Sequence, residues 1–147
     1  METVIDRVVA AAGRYEGTGQ DSRPDAGTGT FSASVEVRPL VDGMGAELVY
    51  VAHRPDGSLV HHEHTLLAFD MWSGEATLYV LCAELNGLGR LVQVTETGFS
   101  NGLGVDGFEL HVELRLGADE LEHVWSWGAP GEELTEQLRA TVSRVGP

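Results

Sequence analysis

Apolar and polar residues alternate one for one along most of this chain. In FSASVEVRPL (31–40), Phe31, Ala33, Val35 and Val37 fall on one face and Ser32, Ser34, Glu36 and Arg38 on the other. GFELHVELRL (107–116) repeats the pattern, with Phe108, Leu110, Val112, Leu114 and Leu116 set against Glu109, His111, Glu113 and Arg115. A period of two is that of a half-buried strand. The first segment departs from it. Ile5, Val8, Val9 and Ala12 recur at helical spacing and Gly13 supplies a stop, which predicts a short helix over 2–12.

AELVYVAHR, SLVHHEHTLLAFD, EATLYVLC, RLVQVTETG and LEHVWSW read as further strands, separated by the turn formers VDGMG, RPDGS, WSG, ELNGLG, SNGLGVDG and GAPGEE. Turn signals every 8–12 residues or so leave no room for helical crossovers, so the strands form an antiparallel meander. One-sided alternation over so many short strands predicts an all-β closed barrel of about 8–10 strands, because closure removes the sheet edges. The whole chain, 1–147, is one domain, with the barrel over 13–147. The tail ELTEQLRATVSRV fits either state: Leu134, Leu138 and Val142 suit a helix, while Leu138, Ala140 and Val142 suit a strand. DSRPDAGTG (21–29) is the one long polar loop.

Composition narrows the function classes. With 147 residues and 42% hydrophobic content the chain can bury a core without staples. No run is long enough to cross a membrane as a helix, and METVIDRVVAAAG lacks a signal-peptide layout, so a cytoplasmic protein with no membrane partner is expected. The single cysteine, Cys82, excludes an intramolecular disulfide. All nine basic residues are arginine, and the formal charge of −14 repels phosphate backbones, which argues against nucleic-acid binding.

Candidate chemistry is concentrated in two strands. In LVHHEHTLLAFD, His62 and His64 share one face and His61 and Glu63 the other. An H-x-H pair on a strand can hold a divalent metal if a third ligand, here His123, joins it, but a strand with one wet face explains the same pattern, and no metal is expected. In LEHVWSW, His123, Trp125 and Trp127 share a face and make an aromatic wall if that face lines the lumen, or ordinary core if it fills it. Cys82 ends the apolar row Ala76, Leu78, Val80 and reads as a small inward hydrophobe. His53 and His111 read as surface residues. No catalytic triad, nucleophile elbow or phosphate-binding glycine motif is evident; His62, His64 or His123 in a dry lumen would serve as a general base.

AGRYEGTG (12–19) resembles the G-x-W-x-G-x-G opening of the nitrobindin family, haem-binding barrels of the calycin type. Gly13, Gly17 and Gly19 match, and Tyr15 stands where that family has tryptophan. LEHVWSWGAPGEELTEQLRATVSRV resembles the last two strands of the same barrels, which implies that 137–145 is a closing strand. The resemblance further implies that His62, Cys82, His123, Trp125 and Trp127 face the cavity. In that family the closing strand supplies the proximal haem histidine, and the corresponding residue here is Gln137. An amide is a poor iron ligand beside an imidazole.

The expectation is therefore a nitrobindin-like barrel that takes a small, largely apolar ligand without the usual haem ligation, and with no cofactor. Its pocket is expected to include Tyr15, His62, His64, Leu78, Val80, Cys82, His123, Trp125, Trp127 and Gln137. Two alternatives stay open. One is a haem protein that binds nitric oxide or isomerises peroxynitrite through a substitute histidine. The other is a lumenal cyclase or isomerase. Pairing of two copies through an exposed sheet face is compatible with this barrel class.

Overall fold

The computed structural model describes residues 1–23, 29–85, 87–102, 107–129 and 131–147. It is a closed ten-stranded antiparallel meander. Each strand pairs with its neighbours in sequence, and the first pairs with the last. The strands are β1 (Gly13–Asp21), β2 (Gly29–Leu40), β3 (Gly45–His53), β4 (Leu59–Phe69), β5 (Ala76–Cys82), β6 (Gly89–Gln93), β7 (Gly98–Ser100), β8 (Glu109–Leu116), β9 (Glu120–Gly128) and β10 (Thr135–Gly146). The tail is thus a strand. Residues 24–28 of the long polar loop lie outside the described residues, as do parts of the 86, 103–106 and 130 turns.

The helix α1 spans Val4–Ala10 and starts at a capping box. Thr3 Oγ1 accepts from the Asp6 backbone N–H, and the Asp6 carboxylate accepts from the Thr3 backbone N–H. Its buried face, Val4, Ile5 and Val8, is part of the hydrophobic core and plugs one end of the barrel. At that end Tyr15 Oη donates to Ala11 O at 2.6 Å. Arg144 donates to Ala12 O at 2.6 Å and to Tyr15 Oη at 2.8 Å. These bonds tie the helix exit to the seam between β1 and β10.

That seam explains the glycines of the opening motif. A Cβ on Gly17 would collide with the carbonyl of Thr141, and one on Gly19 with the carbonyl of Arg139 and the ring of Phe31. Side chains there would hold the two closing strands apart. The inward rows predicted from alternation are buried in β2 (Phe31, Ala33, Val35, Val37) and β8 (Leu110, Val112, Leu114). Large side chains such as Leu48, Leu67, Leu78, Leu91 and Leu121 fill the lumen above the helix, all at most 1% exposed. Among the described residues no helix is long and apolar enough to cross a membrane.

Candidate functional site

The end of the barrel opposite α1 is open. A cleft of about 630 Å³ lies there, walled by Arg23, Glu84, Phe108, Trp127, Thr135 and Gln137 and rimmed by the β9–β10 loop, including Glu132 and Glu133. Two local irregularities build it. In β10 the pairing register shifts between Glu136 and Leu138, so Gln137 and Leu138 are both buried and Gln137 is turned into the mouth. The Gln137 carbonyl is fixed by the Ser22 N–H at 2.8 Å. In β4 the register shifts opposite Ala52 and His53, so Val60 and His61 are both buried.

From that shift onward, His61, Glu63, Thr65 and Leu67 point inward while His62, His64 and Leu66 point out. The structure therefore places the two histidines expected in the pocket on the outer surface instead. His62 and His64 lie side by side there, ring centroids 5.3 Å apart, and His64 Nδ1 meets Glu47 at 3.1 Å. The apolar character of Leu66 and Leu67 is equal, so alternation does not say which row is internal. The inward row carries the less expected residues, a carboxylate and an imidazole, and burial is tolerated because they pair with each other. His123 is inside the barrel, so the imagined metal trio of His62, His64 and His123 is split across the wall.

The internal pair heads a chain of polar groups. His61 Nε2 lies 2.9 Å from Glu63 Oε1, and His61 Nδ1 lies 2.9 Å from Glu84 Oε1. Glu63 also accepts from Thr65 Oγ1 and faces His123 Nε2 at 3.5 Å. Burial alone would pull the His61 pKa down; the hydrogen bonds and charges of Glu63 and Glu84 more than reverse this and raise it to about 9. Burial pushes Glu63 up, but His123 and His61 outweigh it and hold the carboxyl well below the usual range. The result is an imidazolium between two carboxylates, one deep and one at the mouth. Beside it, burial and the negative charges of Glu84 and Glu63 push the Cys82 thiol up to about 12, so it is no nucleophile.

A second network closes the mouth from the side. Arg23 reaches both oxygens of Asp21 at 3.0 Å, Glu84 at 3.2 Å and the Val60 carbonyl at 3.1 Å, and Arg54 also reaches Asp21 at 3.1 Å. Burial raises the Asp21 pKa, and the bonds and charge of Arg23, aided by Arg54, more than offset this. Aromatic rings continue from the deep pair outward. Tyr50 meets His61 and His123 edge-on at 4.8 and 4.9 Å, His61 meets Trp125 at 5.2 Å, Trp125 meets Trp127 at 6.4 Å, and Trp127 meets Phe108 at 6.5 Å. Four buried polar atoms in this region have no hydrogen-bond partner among the described residues: Tyr50 Oη, His123 Nδ1, Trp125 Nε1 and Gln137 Oε1.

Of the residues expected in the pocket, Trp127 and Gln137 line the mouth. Leu78, Val80, Cys82, His123 and Trp125 are buried inside the barrel beneath it. Tyr15 is also buried, but at the helix-plugged end, where its hydroxyl is engaged by Ala11 and Arg144. Arg23, Tyr50, His61, Glu63 and Glu84 belong to the region and were not foreseen there, and Phe108, expected on the inward row of its strand, instead stands half-exposed at the mouth just before β8 begins. Tyr50 was legible, since it continues the inward row Ala46, Leu48, Tyr50, Ala52. Glu84 was not, because it sits in a turn after β5 and gains its role from a histidine 23 positions away. Other grooves exist among the described residues, one on the outer wall bordered by Leu40, Glu47, His64, Leu66, Tyr79 and Leu88, and one beside α1 bordered by Ile5, Met44 and Phe69. The mouth differs from them in its paired aromatic wall, Trp127 beside Phe108.

Neither a known protein family nor a curated protein matches the sequence. Among solved structures, the barrel is similar to the crystal structure of Rv2717c from M. tuberculosis, with a TM-score of 0.71 and 18% identity over 99% of each chain. That likeness spans the whole molecule and is one of fold alone, that of the closed antiparallel barrel described above.

Proposed function

We propose that this barrel binds one small, flat, mostly apolar molecule in its mouth, between Trp127 and Phe108, with a polar contact to Gln137. The observation that carries this reading is the cleft itself, about 630 Å³ at the end opposite α1, walled by the neighbouring rings of Trp127 and Phe108. Gln137 joins that wall beside the bulge; its Oε1 is sealed in the interior without a partner, so the amide N–H of Nε2 is the end left to meet a ligand. The cleft's size suits one small ligand.

The donor set does not fit haem held through a protein–iron bond. Gln137 offers only an amide. Both ring nitrogens of His61 are taken by carboxylates, His123 turns Nε2 to Glu63 and has its unpartnered Nδ1 sealed in the packed interior, and His62 and His64 face outward. No step through haem follows from these residues.

N-phenyl-1-naphthylamine, a neutral probe that fluoresces when held dry, tests the binding reading. Saturable one-to-one uptake is expected, with tryptophan emission quenched and affinity weakened by about tenfold or more in Trp127→Ala, the loss of an aromatic anchor. Unsaturable uptake, or equal affinity in Trp127→Ala and Phe108→Ala, would overturn it.

A further inference from the structure

The polar end that Gln137 shows the cleft says which molecule suits it, granted the binding reading above. The residue is only 8% exposed, and Oε1, its acceptor, is sealed in the interior. Its Nε2 is not sealed, and among the described residues it has no hydrogen-bond partner. The amide therefore offers the cleft a donor that nothing in the barrel satisfies. Its place is fixed by the backbone on both sides. The Ser22 N–H holds the Gln137 carbonyl at 2.8 Å, and Thr135, two positions earlier, pairs directly with Trp127. Donor and indole thus belong to one wall of the mouth.

A donor calls for an acceptor on the ligand, and charge decides between a neutral acceptor and an anion. Arg23, the cation on that wall, is already engaged by both Asp21 oxygens, Glu84 and the Val60 carbonyl. Asp21, Glu63 and Glu84 stand against Arg23, Arg54 and His61, so the inner network balances and lends no positive field to a ligand. The chain's net charge of −14 then disfavours an anion. An uncharged carbonyl oxygen meets the amide donor without that repulsion, and conjugation to a ring keeps it in the ring's plane. We propose that the mouth recognises a neutral aryl carbonyl compound, its ring against Trp127 and Phe108 and its carbonyl oxygen accepting from Gln137 Nε2.

Three naphthalenes of nearly one shape test this by displacing N-phenyl-1-naphthylamine from the intact protein. They are 2-acetylnaphthalene as the carbonyl, 2-isopropenylnaphthalene as the form with a methylene in place of the oxygen, and 2-naphthoate as the anion. The ketone is expected to bind about three- to tenfold tighter than the hydrocarbon, the worth of one hydrogen bond, with the carboxylate weakest. Gln137→Leu, an apolar side chain of similar size, is expected to bring ketone and hydrocarbon within about twofold of each other. A hydrocarbon that binds the parent protein as well as the ketone overturns the inference while leaving the binding reading standing, and this comparison needs no variant. Tightest binding by the carboxylate, or no displacement by any of the three, does the same. So does a ketone preference that Gln137→Leu leaves unchanged, since another donor then serves it. If the probe itself fails to saturate, the binding reading fails, and this inference with it.

Discussion

His61 and Glu84 join the interior of the barrel to its mouth: Nδ1 and Oε1 stand 2.9 Å apart, and the opposite ring nitrogen stands 2.9 Å from the fully buried Glu63. An imidazolium in this position is a structural cation. It allows a carboxylate to lie at the centre of an otherwise apolar lumen, and it aims a second one at whatever enters the cleft.

Removing one member of that pair leaves the other charged and unmatched. Glu63→Leu is expected to destabilise the fold by about 3–5 kcal/mol, measured by urea unfolding, because the imidazolium loses its deep partner. Paired replacement of Glu63 and His61 by apolar residues of similar volume should cost far less than the sum of the single changes. Additive losses would mean that the two side chains do not act as a unit.

The same pair sets a pH dependence. The His61 pKa in the fold, about 9, lies above its ordinary value of 6.5. The folded state therefore binds a proton that the unfolded state releases first. Its contribution, about 3 kcal/mol from the size of that shift, is complete below pH 6.5 and is lost as pH rises to about 9. Glu63, Glu84 and Asp21 are shifted the other way, so their contributions are present above the ordinary carboxylate range and are lost on acidification. Urea midpoints should fall steadily between pH 6.5 and 9, and His61→Gln should flatten that slope.

His62 and His64 face solvent, so alanine at either position should change stability by about 0.5 kcal/mol or less, as usual for exposed sites and surface ion pairs. A loss of several kcal/mol from His62→Ala would place that ring inside and contradict the β4 register.

Gln137 stands on a bulge that points its side chain into the mouth. Gln137→His should therefore present an imidazole to the cleft. Titration with hemin is expected to give a sharp, ligated Soret band in this variant and only weak, nonspecific absorbance in the parent protein. A ligated spectrum in the parent that His61→Ala or His123→Ala abolishes would show an internal histidine replacing the missing ligand.

How much of this was legible in the sequence follows from what each element depends on. The alternation of β2 and β8 reports burial directly, because every second residue meets the same lumen. The closing strand β10 needed the resemblance at both chain ends, since Leu138, Ala140 and Val142 also fit a helix. The β4 histidines went the other way. One residue of extra length at Val60, together with a buried ion pair, put the charged row inside, and neither is visible as periodicity. Bulges also decide the site. Gln137 lines the mouth because the β10 register slips beside it, which no pattern of hydrophobicity encodes.

The central claim is that the mouth, and not the outer wall, holds the ligand. Backbone amide NMR of the labelled protein, titrated with N-phenyl-1-naphthylamine, tests it most directly. The account predicts saturable shifts at Glu84, Phe108, Trp127, Gly128 and Gln137, with the Trp127 indole among them. Shifts confined to Leu66, Tyr79 and Leu88 on the outer wall, or to Ile5, Met44 and Phe69 beside α1, would contradict it.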